Sequence, residues 1–256
     1  MEECIHGLDA PLCDACTPKA PPSPEAIAAA AKPRKAAAPR ARSRAAARTA
    51  VRQPAITVGD QRIYHLTHVS NLARIIQTGE LRASACGAEP TTDIASPQAR
   101  AQRAATVIDE TDVVAQYVPF FVSPDATLWA TIRAGKPDPR LADDASDYPA
   151  NEFVMLLSTA GAADREHSGI CRTDAAFPGA TVVTDPEQVN RELYRLHEDE
   201  DALREAEFLV REQFPFTSVT TIGVASDRIR GEVKALLDGA AHKPKVAVYP
   251  PWFMRG

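Results

Sequence analysis

The clearest alternation of hydrophobic and polar positions lies at residues 63–68, Ile-Tyr-His-Leu-Thr-His. Alternation with β-branched and aromatic side chains predicts a β-strand. Apolar residues then recur at helical spacing from residue 72 to residue 76, with Ser70 as the expected helix N-cap and Gly79 as the expected helix stop. The pattern therefore predicts a strand, a tight turn and a short helix in direct succession.

Later apolar runs extend this pattern along the chain. They predict strands at 118–122, 152–158, 181–184, 206–210, 219–224 and 245–249, and helices at 99–105, 128–132, 186–196 and 226–237. These elements do not follow a regular βαβ series, and no glycine-rich phosphate loop is present in the sequence. We therefore expect an α+β fold, a mixed β core with flanking helices.

Composition places the chain among ordinary globular proteins. It has 256 residues and 45% hydrophobic residues, which fits one ample domain or one domain with an appendage. No apolar run approaches the roughly 18 residues of a membrane span, and no apolar stretch typical of a secretory signal opens the sequence. Five cysteines, crowded toward the N-terminus, do not indicate a disulfide framework. We expect a cytoplasmic protein with reduced thiols and no membrane association.

Charge is unevenly distributed. The net charge of −5 argues against a generally basic nucleic-acid binder, yet the stretch from Lys32 to Arg52 contains no acidic residue. Residues 18–54 are rich in Ala, Pro, Lys and Arg, and we expect a disordered basic linker there, ahead of a folded domain at 55–256. The linker arginines suit sequence-independent attraction to phosphates, and a purely solubilising spacer is the alternative.

Residues 1–17 hold four side chains that zinc prefers. Cys4, His6, Cys13 and Cys16 could close a tetrahedral site, and a segment this short would hardly fold without a metal. Cys13 and Cys16 form a C-x-x-C pair, which is a common metal-binding spacing. Cys4 and His6 are two residues apart, and side chains at this spacing point to opposite sides of an extended chain. We predict a small zinc-binding head, with a disordered tail carrying incidental cysteines as the alternative.

Three separated features could form a reactive cleft. They are His65 on the first strand, the arginines Arg100 and Arg103, and Glu207 at the start of a later strand. Together they suit an anionic, ribose-bearing cofactor: the histidine would contact a ribose hydroxyl or an amide, an arginine a pyrophosphate, and the glutamate the reacting ribose. Spacing alone leaves a purely structural role open for each of them.

Four stretches in the same order give the chain a family resemblance. They are Ile-Tyr-His-Leu-Thr-His-Val-Ser-Asn-Leu at 63–72, Tyr-Val-Pro-Phe-Phe at 117–121, Glu-Ala-Glu-Phe-Leu-Val at 205–210 with Ile-Gly-Val at 222–224, and Lys-Pro-Lys-Val at 243–246 with Trp-Phe at 252–253. In these stretches the chain resembles the DarT family of DNA ADP-ribosyltransferases, toxins paired with a macrodomain antitoxin called DarG. The similarity runs from about residue 56 to residue 253.

This resemblance implies an ADP-ribosyltransferase fold, NAD as the donor, and transfer of ADP-ribose to a base of single-stranded DNA. Thymine is the acceptor in the best-known branch of the family and guanine in another. The implied residues are His65, Leu66, Thr67, Arg74, Arg82 and Arg103 for the cofactor, and Arg103 and Glu207 for catalysis. Arg100 competes with Arg103 for the place of the family arginine.

The implied chemistry is physically coherent. Breaking the bond to nicotinamide builds oxocarbenium character on the ribose, which a nearby carboxylate stabilises. The sequence departs from the family at residues 124–128, Pro-Asp-Ala-Thr-Leu, which lack the arginine of the family's Pro-Arg-Ser-Pro-Met-Leu. Two alternatives therefore remain: a non-catalytic nucleic-acid-binding protein that retains the fold, or an NAD-using transferase that acts on RNA or protein.

Overall fold

The structure, a computed structural model, describes residues 58–254. The predicted zinc head at 1–17, with Cys4, His6, Cys13 and Cys16, and the predicted linker at 18–54 lie outside the described residues. The strands are β1 Arg62–His68, β2 Glu80–Arg82, β3 Tyr117–Phe121, β4 Phe153–Thr159, β5 Ser168–Cys171, β6 Val182–Val183, β7 Glu207–Arg211, β8 Gln213–Pro215, β9 Thr221–Val224 and β10 Lys245–Val248. The helices are α1 Leu72–Thr78, α2 Pro97–Ala105, α3 Thr127–Ala134, α4 Pro186–Leu196, α5 Glu200–Glu205 and α6 Asp227–Leu236.

A mixed sheet of eight strands organises the fold. Its order is β10-β9-β4-β1-β3-β7-β5-β6, and β2 pairs with β8 in a separate two-stranded sheet. The β9–β10 pair is parallel, whereas the other pairs are antiparallel. Helices flank this sheet, so the predicted α+β fold with a mixed β core is confirmed.

The sheet is tightly joined on one side of β1 and splits on the other. All seven residues of β1 pair with β4, from Arg62↔Thr159 to His68↔Phe153. Between the described strands β1 and β3 the register is a single pair, Tyr64↔Phe121. The backbone of β1 beyond Tyr64 therefore leaves its neighbour and borders open space.

Both faces of the central strand β4 are buried. Val154 and Leu156 join one hydrophobic cluster, and Phe153, Met155 and Leu157 join the other. This alternation follows from the two-residue period of a strand, so a continuous apolar run marks a strand covered on both faces. The second cluster includes Trp129 of α3 and Phe253. Helix α3 therefore packs against the face of β4 that carries Phe153, Met155 and Leu157.

The local details around α1 correct one prediction. Gly79 does end the helix, with φ of 75° and an N–H bonded to the Ile75 carbonyl at 2.9 Å. Ser70, however, is not the N-cap, because a 3₁₀ turn precedes α1 and Asn71 occupies that position. The Ser70 hydroxyl instead bonds His68 Nδ1 and Thr92 Oγ1, both at 2.9 Å.

Short elements account for the other differences from the predicted pattern. Strands β2, β5 and β8 and helix α5 were not predicted, because each is too short to show a period. Among the described residues, every helix is too short or too polar to cross a membrane.

Candidate active site

A cavity of about 520 Å³ opens where β1 leaves β3. This volume lies within the range of small-molecule and cofactor sites, roughly 300–1,000 Å³. The side chains or backbone of all the predicted site residues of the folded domain line it: His65, Leu66, Thr67, Arg74, Arg82, Arg103 and Glu207. Arg100 lines it as well, so one cavity collects residues that are far apart in the sequence.

Glu207 lies deep in the wall of the cavity. It begins β7, opposite Phe121 of β3 and Cys171 of β5, and is only 4% exposed. Its Oε2 accepts hydrogen bonds from Arg103 Nη1 at 2.9 Å and from the Ala175 N–H at 3.2 Å. Burial raises the pKa of Glu207, and the charge of Arg103 opposes that rise. The carboxylate is thus held by donors while its charge is poorly solvated.

Arg103 reaches Glu207 from the last turn of α2. The helix begins at Ser96, whose hydroxyl caps the Ala99 N–H at 3.0 Å. Arg103 Nη2 is buried and has no hydrogen-bond partner within residues 58–254. A buried donor of this kind in a cavity wall is suited to an anionic or carbonyl group of a ligand. Arg100, in contrast, forms an ion pair with Asp93, so the structure places Arg103 rather than Arg100 against Glu207.

His65 presents a neutral imidazole to the cavity. Its Nδ1 lies 2.9 Å from the Pro119 carbonyl oxygen, which can only accept, so Nδ1 carries the proton. Burial lowers the pKa of His65, although the bond to Pro119 acts in the opposite direction. Nε2 of the neutral ring is therefore left as a hydrogen-bond acceptor.

Asn71 links β1 to the segment around Thr92 in the wall of the cavity. Sequence reasoning did not identify it as a site residue. Its Nδ2 donates to Thr67 Oγ1 at 3.0 Å and to the Thr92 carbonyl at 2.9 Å, and its Oδ1 accepts the Thr92 N–H at 2.9 Å. The side chain is buried and lines the cavity. Its place in the first resembling stretch, four residues after Thr67, was the signal that could have found it.

We call Arg74, Arg82 and Arg100 the rim arginines, because they line the cavity and are exposed. Each of them pairs with a nearby acid: Arg74 with Glu89, Arg82 with Glu80 and Arg100 with Asp93. The pair of Arg74 with Glu89 is exposed on both sides, so it is weak in water and an incoming anion can replace the carboxylate at small cost.

A second charged cluster, also missed by sequence reasoning, adjoins Glu207. Arg140 donates from Nε and Nη2 to the two oxygens of Asp138, both at 2.8 Å, and from Nη1 to Asp174 at 2.9 Å. Arg140 and Asp174 both line the cavity. The charge of Asp174 also raises the pKa of Glu207. These residues lie in loops without periodicity, so nothing in the sequence pattern brings them together.

The aromatic residues of β3 divide between core and cavity. Phe120 is buried in the main hydrophobic cluster, whereas Phe121 is half-buried and lines the cavity. Tyr117 lines it too, but its hydroxyl donates to Asp112 at 3.0 Å. Asp125, in the stretch that departs from the family, pairs with Arg133 of α3 at 3.3 Å.

The metal prediction falls outside this region. Within residues 58–254, no group of three or more His, Cys, Asp or Glu side chains is arranged to hold a metal ion. The four candidate zinc ligands of the head lie outside the described residues.

Comparison with known proteins identifies the family of the chain. The model of a family described as "ssDNA thymidine ADP-ribosyltransferase, DarT" matches residues 64–254. A "DNA ADP-ribosyl transferase" of Thermus sp. (strain 2.9) is 27% identical over 210 residues, which cover 75% of this chain and 95% of the relative.

Two solved structures of the Thermus sp. 2.9 DarT are similar to this fold. One, in complex with ADP-ribosylated ssDNA, has a TM-score of 0.64 at 24% identity and covers 76% of this chain and 96% of its own. The other, in complex with NAD⁺, has a TM-score of 0.60 at 23% identity, with coverage of 76% and 98%. The family model and the curated relative define the class of protein, an ADP-ribosyltransferase, and the mixed sheet is consistent with the fold of the solved structures. Within this class, the match of the family model over most of the chain shows that the chain belongs to the DarT family.

Proposed function

We propose that this protein transfers ADP-ribose from NAD to a thymine base of single-stranded DNA. The observation that carries the proposal is the buried contact between Arg103 and Glu207 in a cavity also lined by His65. Similar proteins described in complex with NAD⁺ and with ADP-ribosylated ssDNA support the choice of donor and acceptor.

In this proposal, the inner part of the cavity holds the nicotinamide and its ribose. His65, Leu66 and Thr67 lie on the part of β1 whose backbone has separated from β3, which leaves backbone groups to bind an amide. The neutral His65 can accept a hydrogen bond from a ribose hydroxyl or an amide through Nε2.

The rim would hold the phosphates of NAD. Arg74 and Arg82 are exposed, so the pyrophosphate can reach both, and it can readily displace Glu89 from its exposed pair with Arg74. Arg103 would add its unpartnered Nη2, which lies closer to the reacting groups. This arrangement assigns anion binding to the outside of the cavity and chemistry to its inside.

Glu207 would stabilise the positive charge that develops on the ribose when the nicotinamide bond breaks. A carboxylate of low solvation acts strongly on a nearby cation, since little water screens it. Glu207 must be ionised for this role. Burial raises its pKa, and the charge of Arg103 opposes that rise and favours the ionised form.

The acceptor base must be unstacked to reach the cavity, which explains why single-stranded DNA is the proposed substrate. As the ribose bond to nicotinamide breaks, the ring nitrogen bonds to the ribose carbon, nicotinamide leaves and the nitrogen's proton is released to water. Arg103 would orient the base rather than take that proton, because a guanidinium stays charged.

In the experiment, the full chain is incubated with NAD that is labelled in the ADP-ribose part. Each single-stranded oligonucleotide in the set contains only one type of base that could act as acceptor. We expect label on thymine-containing DNA. Label on guanine-containing DNA alone would contradict thymine as acceptor, and label on RNA or protein alone would favour the corresponding alternative. Absence of label on every substrate would favour the non-catalytic alternative.

The remaining parts of the proposal extend beyond the described residues. A toxin role, a partner of the DarG macrodomain type and a cytoplasmic location rest on the family resemblance and composition. Expression without an antitoxin should then damage DNA, and harmless expression of active protein would contradict the toxin role. The zinc head at Cys4, His6, Cys13 and Cys16 stays a prediction, which metal analysis would contradict if zinc lies well below one per chain.

A further inference from the structure

Phe177 is an exposed aromatic residue beside the cavity. It lies in the loop between β5 and β6, where Asp174 and Ala176 line the cavity and the Ala175 N–H binds Glu207. Phe177 itself is outside that lining and keeps 46% of its surface exposed. A single short segment therefore joins residues that line the cavity and contact Glu207 to an exposed aromatic ring.

The ring is exposed but held in place. The Phe177 N–H donates to the Asp174 carbonyl at 3.0 Å, and the Phe177 carbonyl accepts from the Ala180 N–H at 3.1 Å. The guanidinium carbon of Arg140 lies 5.1 Å from the ring centroid, within the range of a cation–π contact. The exposed part of an aromatic ring beside a cavity can stack on a nucleic-acid base.

The chemistry around the ring favours stacking over charge. Arg140 donates from Nε and Nη2 to Asp138 and from Nη1 to Asp174. A phosphate that bound Arg140 would therefore have to displace one of two carboxylates. A base stacked on Phe177 requires no such exchange. Arg140 beneath the ring can strengthen the stack, because base–aromatic stacking and cation–π contacts act together in single-strand binding.

We propose that Phe177 stacks against the base next to the acceptor base of single-stranded DNA. This inference rests on the proposed function and names one contact of its DNA substrate. The acceptor base must enter the cavity to meet Glu207. Since Phe177 lies outside the cavity lining while its neighbour Ala176 belongs to it, the ring meets the adjoining nucleotide.

The test compares transfer kinetics of the wild-type chain with Phe177→Ala, Phe177→Trp and Tyr194→Ala. Tyr194 is a matched control, because it is also 46% exposed but lies on α4 away from the cavity lining. We expect Phe177→Ala to raise the KM for an oligonucleotide with one acceptor base on the order of tenfold. The KM for NAD should stay unchanged, Phe177→Trp should restore the KM for DNA, and Tyr194→Ala should behave as wild type.

Oligonucleotides with an abasic site on one side of the acceptor base locate the contact. One of the two should raise the wild-type KM to the level of Phe177→Ala, and this variant should be insensitive to the same lesion. The slope of KM against salt should be equal in wild type and Phe177→Ala, since stacking releases no counterions. A shallower slope in Phe177→Ala would instead indicate a phosphate contact.

The failures can be told apart. If the wild-type chain transfers label to no DNA, both the proposed function and this inference fall. If it transfers label and Phe177→Ala keeps the wild-type KM for DNA, only this inference falls. The inference would also be overturned if Phe177→Ala and each abasic lesion raised the KM for DNA independently, so that their effects multiplied when combined.

Discussion

The inner wall of the cavity and its rim use arginine in opposite ways. In the inner wall, Arg103 binds the buried Glu207, and its Nη2 is buried without a partner in the described part of the chain. On the rim, the exposed Arg74 and Arg82 pair with Glu89, which is exposed, and with Glu80, which is half-buried. A buried charge pair is costly to break, whereas an exposed one is exchanged easily. On the proposed function, this difference assigns the chemistry to the inner wall and the reversible binding of an anion to the rim.

The largest expected effect comes from replacing the two arginines of α2, Arg103 and Arg100, one at a time. Arg103→Gln should lower the rate of transfer at saturating substrate on the order of 100-fold, because it removes a preorganised donor at the reacting centre. Arg100→Gln, the matched control from the rim, should mainly raise the KM for NAD. Steady-state kinetics of both variants decide the matter. A larger rate loss in Arg100→Gln would make Arg100 the functional arginine.

The charge environment of Glu207 gives a pH test. If Glu207 acts as proposed, activity requires its ionised form and should fall as the pH drops through the pKa of this carboxyl, which burial and Asp174 both raise. Asp174→Asn removes one raising charge, and the acid limb of the pH–rate profile should move to lower pH. Asp138→Asn is the control, since Asp138 also binds Arg140 but is not among the causes of the Glu207 shift.

Thermal unfolding should first show that both aspartate variants fold. The assignment of the acid limb of the pH–rate profile to Glu207 would be contradicted if that limb did not move in Asp174→Asn. It would also be contradicted if the limb moved equally in Asp174→Asn and Asp138→Asn. The test thus separates an electrostatic contribution of Asp174 from its structural contact with Arg140.

The rim gives the smallest expected effect. Arg74→Gln should raise the KM for NAD a few-fold with an unchanged kcat, since the contact is equal in the ground state and the transition state. Thermal stability should change little, because exposed ion pairs contribute about 0–1 kcal/mol. Arg191→Gln, which breaks the exposed pair with Glu187 on α4, is the control for general effects of charge. A fall in kcat for Arg74→Gln would break the division between wall and rim.

The sequence predicted the parts of the fold that repeat a pattern. The alternation at 63–68 and the apolar run of β4 predicted two central strands. The three-residue strands β2 and β8 were missed, because their pairing joins segments far apart in the chain and leaves no local period.

The site divides in the same way. His65 and Glu207 were predicted because family motifs surround them, whereas Arg103 was the best match to the family's catalytic arginine, with Arg100 as its competitor. Asp174 and Arg140 were missed since their contact depends on two loops meeting in the folded chain. No propensity or spacing records such a meeting, so only the structure could add them.

The central claim is that Glu207 acts on the reacting ribose from the inner wall. The direct measurement is the single-turnover rate of ADP-ribose transfer from labelled NAD to thymine-containing single-stranded DNA, for wild type, Glu207→Gln and Glu205→Gln. Glu205 ends α5 two residues away and is outside the cavity lining, so it controls for local effects. We expect a loss of at least about 100-fold in Glu207→Gln and a rate near wild type in Glu205→Gln. Transfer at the wild-type rate by a folded Glu207→Gln protein would contradict the claim.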